Sequence, residues 1–136
     1  MQKISIASGV LSCLAVTFAC ATFLIVNAPI RVIDGDTIDR WPLRHRLLGF
    51  DAPEIGRARC DRERERGLAA KTRLGELIRG AGTVGLYRRS WALDRYGRAL
   101  SRLEVDGRDV AEIAITEGWG VRYNGRGPAW DWCGGD

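Results

Sequence analysis

The sequence predicts an α+β domain in which short strands close into a small barrel and two helices pack against it. Three observations lead there. Apolar runs of strand length recur along the chain and are cut off by turn dipeptides such as Asp34-Gly35 and Asp106-Gly107. A long segment, Asp61 to Arg79, instead carries Ala70, Leu74, Leu77 and Ile78 at helical spacing. A shorter one, Val110 to Glu117, turns Val110, Ile113 and Ala114 to one face. Strands this short and numerous, with helices interposed, do not suit an open sheet. A chain of 136 residues suffices for one domain with a core, and an apolar content of 46% argues against wholesale disorder.

The chain opens on a segment that belongs to no soluble core. Ile4 to Ile30 holds no charged residue, with Lys3 before it and Arg31 after it. As a signal peptide, residues 1–21 would end at Ala19-Cys20-Ala21 and leave 22–136 as the domain. As a membrane anchor, residues 4–26 are long enough to cross a bilayer. Cleavage is favoured, because the Asp34-Gly35-Asp36 turn needs a strand leading into it and Thr22 to Ile33 supplies one. The protein is then expected in the periplasm or the medium, and the uncleaved form would be tethered to the membrane. Cleavage also leaves two cysteines, Cys60 and Cys133, a candidate disulfide in an exported protein; two free thiols are the other reading.

The remaining elements follow in order. Ile30 to Ile33 is a strand that turns at Asp34-Gly35, and Thr37-Ile38 continues outward until Trp41-Pro42 turns the chain. Leu43 to Phe50 is one further run, ended by Pro53, which forces Ala52 into an extended conformation. The first helix starts at Asp61, where negative charge suits the helix dipole. Its alternating charges from Asp61 to Arg66 read as a solvated first turn and a half. Gly80-Ala81-Gly82 ends it. Val84 to Arg88 and Arg98 to Val105 are strands, the latter with Ala99, Ser101, Leu103 and Val105 on one face. Gly118 stops the second helix, and Trp119 to Tyr123 is a last strand.

Charge narrows the function. The net charge is +4 and the pI about 9.2, which favours polyanionic partners. Lys3 and Lys71 apart, the cations are arginines, whose planar fork suits phosphate, although a GC-rich genome also raises the arginine count. A single histidine, His45, and the lack of a CxxC pair argue against a zinc site.

Three motifs carry chemistry: Val32-Ile33-Asp34-Gly35-Asp36-Thr37-Ile38, Arg46-Leu47-Leu48-Gly49-Phe50-Asp51-Ala52-Pro53-Glu54, and Asp94-Arg95-Tyr96-Gly97-Arg98. Each alone reads as a turn rich in turn formers. Together they supply oxygen donors for a hard cation, a carboxylate able to act as a base, and two guanidiniums. No EF-hand is present, since the glutamate that closes such a loop is missing.

In this order the three motifs resemble the staphylococcal-nuclease-like (thermonuclease) family over roughly Ile30 to Tyr123. The resemblance implies a five-stranded oligonucleotide-binding (OB-fold) barrel. It implies a Ca²⁺ site formed by Asp36, Asp51 and the Ala52 carbonyl, at a position where many members have threonine. It makes Glu54 the general base or water-positioning residue, and Arg46 and Arg98 the clamp on the phosphoryl group. Arg95 and Tyr96, with Tyr123 more loosely, would contact substrate. The activity implied is a monomeric nuclease that cleaves DNA and RNA with little sequence preference and leaves 3′-phosphates. A barrel that has lost catalysis and only binds nucleic acid or protein in the cell envelope is the rival reading. The chain departs from the family pattern after Gly118, where a tail with Trp130, Trp132 and Cys133 stands in place of a C-terminal helix.

Overall fold

A computed structural model describes residues 29–134. Both readings of the N-terminal segment, the signal peptide at 1–21 and the anchor at 4–26, lie outside the described residues. Among these residues no helix is long and apolar enough to cross a membrane.

Strands β1 (Ile30–Asp34), β2 (Thr37–Arg40) and β3 (Leu43–Leu47) form an antiparallel meander. The short β4 (Gly49–Asp51) leads to helix α1 (Asp61–Gly80). Strands β5 (Val84–Leu93) and β6 (Ala99–Val105) make a hairpin, and β7 (Arg108–Asp109) folds back on β6. Helix α2 (Val110–Glu117) and β8 (Val121–Tyr123) complete the domain. The main sheet has the order β1-β2-β3-β6-β5, with β3 and β6 parallel, and β4 pairs with β8 in a second sheet. A meander joined through its third strand to the far strand of a hairpin is the strand path of the OB-fold. The α+β barrel with two packed helices expected from the sequence is the fold observed.

The core explains why these residues choose these elements. Ala99, Ser101, Leu103 and Val105 alternate inward along β6 and are buried. They meet Ile38, Leu47 and Phe50 from the other strands, Ala70 and Leu74 from α1, and Val110, Ile113 and Ala114 from α2. Burying each larger side chain contributes about 1.5–3 kcal/mol. Helix α2 is capped by Asp109, whose carboxylate accepts the Ala111 N–H at 2.9 Å. Gly118 closes it in the left-handed conformation at φ 77°.

Three local expectations need correction. The run Leu43 to Phe50 is two strands, because Gly49 at φ 95° turns the chain out of the main sheet to pair with β8. Strand β5 runs on to Leu93 instead of ending at Arg88. Its register jumps from Arg88↔Ser101 to Leu93↔Ala99, so the intervening residues stand off the ladder. The opening of α1 is not fully solvated: Glu63 is buried and accepts the Arg59 N–H at 2.7 Å. Cys60, the N-cap, accepts the Glu63 N–H on sulfur at 3.4 Å, while the Glu63 carboxylate reaches one residue past the cap to Arg59.

His45, a plain strand residue by sequence, is buried with Nδ1 2.8 Å from Ser101 Oγ. Burial first, then the Arg88 charge, holds its pKa below the ordinary 6.5; Arg40 adds to this, while Asp39 and a bond to the Arg40 backbone oppose it. The fold therefore favours the neutral ring. This stability is complete above about pH 6.5 and is lost as pH falls toward the folded value, because the unfolded chain takes up the proton first. Melting temperatures measured at pH 7 and pH 5 should fall across that interval in the native chain. They should fall less in His45→Gln.

Candidate active site

The first two motifs meet because small residues let the backbones touch. A Cβ built on Gly35 would lie 2.7 Å from the Ala52 Cβ and 2.8 Å from that of Ala70, so the Asp-Gly-Asp turn rests on both the β4–α1 loop and α1. Gly67 of α1 likewise presses on the Pro53 and Glu54 carbonyls, where a Cβ would come within 2.8 and 2.9 Å. These contacts fix where Asp36, Ala52 and Glu54 stand.

Asp36 is buried at the start of β2. Its Oδ2 accepts the Ala52 N–H at 3.0 Å and lies 2.9 Å from Arg46 Nη1. Its Oδ1 accepts the Thr37 hydroxyl at 3.1 Å. Asp34 Oδ1 accepts the Asp36 N–H at 3.2 Å and braces the turn. Asp51, at the end of β4, accepts Arg46 Nη2 at 3.0 Å on Oδ1. Arg46 thus bridges both carboxylates and also donates to the Leu47 and Phe50 carbonyls. Arg44, one pleat away, is engaged by Asp39 instead.

Burial pushes the Asp36 carboxyl up to about 7; Arg46 and the Ala52 N–H oppose this, while Asp34 and Asp51 add to it. Asp51 is raised by burial and lowered by Arg46 and by the Trp132 indole and Trp130 backbone N–H groups. Glu54 is raised by burial and by Asp34. One guanidinium serves a crowd of acids, so the cleft carries uncompensated negative charge whenever they are ionised. That donor set is all oxygen and fits a hard divalent cation. Ala52 has its N–H committed to Asp36, which leaves its carbonyl as the donor it can offer. Among the described residues no three His, Cys, Asp or Glu side chains form a ready-made metal cage. Two carboxylates and a carbonyl would leave the other positions on the ion to water or substrate.

Asp36, Arg46, Asp51, Glu54, Tyr96 and Arg98 line one open cleft of about 680 Å³. Glu54 accepts no hydrogen bond among the described residues. Arg98 enters from the turn before β6, where Asp94 holds its Nε at 2.9 Å and its backbone N–H at 2.9 Å. Gly97, at φ 75°, makes that turn. The guanidinium carbons of Arg95 and Arg98 lie 4.8 and 5.2 Å from the Tyr96 ring centre. Arg46, Tyr96 and Arg98 also line a second groove of about 670 Å³, which Arg95, Tyr123 and Arg126 extend. The Tyr123 hydroxyl donates to the Gly127 carbonyl at 3.2 Å.

Cys60 and Cys133 are joined by a disulfide, with Cα atoms 6.1 Å apart. It fastens the C-terminal tail beside the cleft, with Glu63 Oε2 3.8 Å from Cys133 Sγ. Sequence reasoning missed that Trp132 is buried and faces Asp51; nothing near Trp132 in the chain announces it. Glu63 was findable, since its position three residues after the cap is the one from which a glutamate reaches back.

Fold and cleft together define an OB-fold protein with an acidic centre bridged by Arg46 and flanked by Arg98. The chain is 35% identical over 132 residues to a micrococcal nuclease of Shigella flexneri, covering 79% of this chain and 70% of that protein. It is 32% identical over 112 residues to Protein ParB of Escherichia coli, covering 71% of this chain and 58% of that protein. No family model matches the chain. At this identity and coverage the chain belongs to the micrococcal nuclease family, a family of nuclease hydrolases.

Proposed function

We propose that this protein is an exported, Ca²⁺-dependent nuclease. It acts as a monomer on DNA and RNA with little sequence preference and leaves 3′-phosphates. The observation that carries this reading is the convergence of Asp36, Asp51, Glu54, Arg46 and Arg98, from separate segments, on one cleft.

Asp36, Asp51 and the Ala52 carbonyl would hold Ca²⁺. When bound, the ion supplies Lewis-acid neutralisation of a phosphoryl oxygen. Glu54 takes a proton from the water whose oxygen bonds to phosphorus. The P–O5′ bond breaks, and the departing 5′-oxygen takes its proton from solvent. Negative charge builds on the phosphoryl oxygens as this happens. Arg46 and Arg98 stabilise that state more than the ground state. Tyr96 and Arg95 receive the neighbouring base and phosphate in the adjoining groove. No base edge is read by a matched donor and acceptor in this scheme, in keeping with broad sequence preference.

The test uses protein recovered from the periplasm or the medium. Its N-terminus should read Thr22, and it should degrade plasmid and single-stranded DNA with added Ca²⁺ and stop with chelator. An N-terminus at Met1 in the membrane fraction overturns the export reading. Digestion that is absent, or indifferent to chelator, overturns the Ca²⁺-dependent one.

A further inference from the structure

The active face of the sheet does not end at the cleft. Arg46 of β3 stands opposite Leu100 of β6, and Arg102 of β6 stands opposite Tyr87 of β5. Directly opposed residues share a face, as do residues two apart on one strand. Arg46, Leu100, Arg102 and Tyr87 therefore form one strip across the outer side of the sheet, behind the buried Ala99, Ser101 and Leu103. Arg89 joins this strip to the site, because it lines the same groove as Arg46, Leu100 and Tyr96.

The strip is built from a tyrosine and guanidiniums. Tyr87 is half exposed, with the Arg102 guanidinium 5.5 Å from its ring centre. Where β5 stands off the ladder, Trp91 is 91% exposed. It is nonetheless held in place: Arg88 Nη2 donates to its carbonyl at 3.0 Å, and the Arg88 guanidinium lies 5.1 Å from its ring centre. Arg89 is exposed and makes no ion pair among the described residues. Acids are present but engaged, Glu104 by Arg102 at 2.9 Å and Asp94 by Arg98. Arg88 pairs with Ser101 of the buried side, so its hold on Trp91 draws that ring away from the strip and leaves Tyr87 as the aromatic on it.

We propose that the outer face of the β5–β6 hairpin, Tyr87, Arg89 and Arg102, is a track that carries single-stranded nucleic acid away from the catalytic cleft. Tyr87 stacks a base, and the arginines follow the phosphates, the combination that binds single strands without reading sequence. This rests on the nuclease reading for its direction, since the track begins at the substrate groove. It sets a site size of about four or more nucleotides, as other OB-folds have.

The test compares the full chain with Tyr87→Ala and Arg89→Ala on the track, and with Trp91→Ala off it as a control. On a 12-nucleotide single strand, Tyr87→Ala should raise KM by about fivefold or more with kcat held, and Trp91→Ala should leave both unchanged. Cleavage of a dinucleotide-length substrate should not change in those two variants. Binding to the same strand, measured by fluorescence anisotropy in a Glu54→Gln background, should show a salt slope shallower by about 0.7 for Arg89→Ala. Equal effects of Tyr87→Ala on long and short substrates, or none on either, overturn the track. So does a loss of binding to phosphatidylserine vesicles with oligonucleotide KM unchanged, which would make this face a membrane contact. If the native chain cleaves nothing but binds single strands through these residues, the catalytic reading fails and the track stands.

Discussion

Replacing Glu54 by glutamine should lower kcat for phosphodiester cleavage by about 10²–10⁴-fold, the usual contribution of a positioned general base. Glutamine keeps the shape of the side chain and cannot take a proton. Glu54 reaches the cleft from a turn fixed by buried Pro53 and by the close approach of Gly67, and its carboxylate is engaged by no hydrogen bond among the described residues. The replacement therefore disturbs no internal contact. KM should change little, and the melting temperature should hold. Steady-state rates on single-stranded DNA, with a thermal scan of each protein, decide it. A variant that retains more than a fifth of the native rate removes Glu54 from the chemistry.

That residue was legible from the sequence because its neighbourhood is local. Asp51, Pro53 and Glu54 lie within four positions, and proline restricts the backbone between them. Asp36 and Arg98 were legible for the same reason, each sitting in a tight glycine turn. The fold was legible wherever one face of an element is buried: the alternation along β6 and the helical spacing in α1 and α2 both placed their core residues correctly. What escaped depends on partners distant in the chain. Strand β5 continues through Arg89 and Ser90 to Leu93, because Ala99 of β6 takes up Leu93 in pairing. The run Leu43 to Phe50 divides, because β8, over 70 residues later, claims β4.

The most consequential gap concerns Arg46. The family resemblance marks it as a phosphate ligand, yet its guanidinium spans Asp36 and Asp51. A cation held by those carboxylates and this guanidinium address the same oxygens. Arg46 is thus the internal counter-charge of the acidic centre as well as a group on the cleft wall. Only the three-dimensional meeting of β2, β3 and β4 shows this double position.

Breaking the Cys60–Cys133 bond should cost about 4 kcal/mol of stability, since it closes a loop of 73 residues and that loop is released to the unfolded chain. The local consequence reaches the acidic centre. Without the bond, the tail keeps Arg59 as a staple, through Nη2 to the Trp130 carbonyl at 2.9 Å and to Asp131 at 3.3 Å. Those contacts are exposed and worth little. Trp132, only 5% exposed in the intact fold and with its indole N–H short of a full hydrogen bond, would then meet water, and Asp51 would lose the tail groups that favour its ionised form. Cys133→Ser, or reduction by a dithiol that leaves two thiols and is itself oxidised to a disulfide, should lower the denaturation midpoint. Both should red-shift tryptophan fluorescence and weaken Ca²⁺ binding measured by calorimetry. A change in stability with Ca²⁺ affinity untouched would confine the bond to holding the chain together. No change in either would mean the tail contributes nothing that β8 does not already secure.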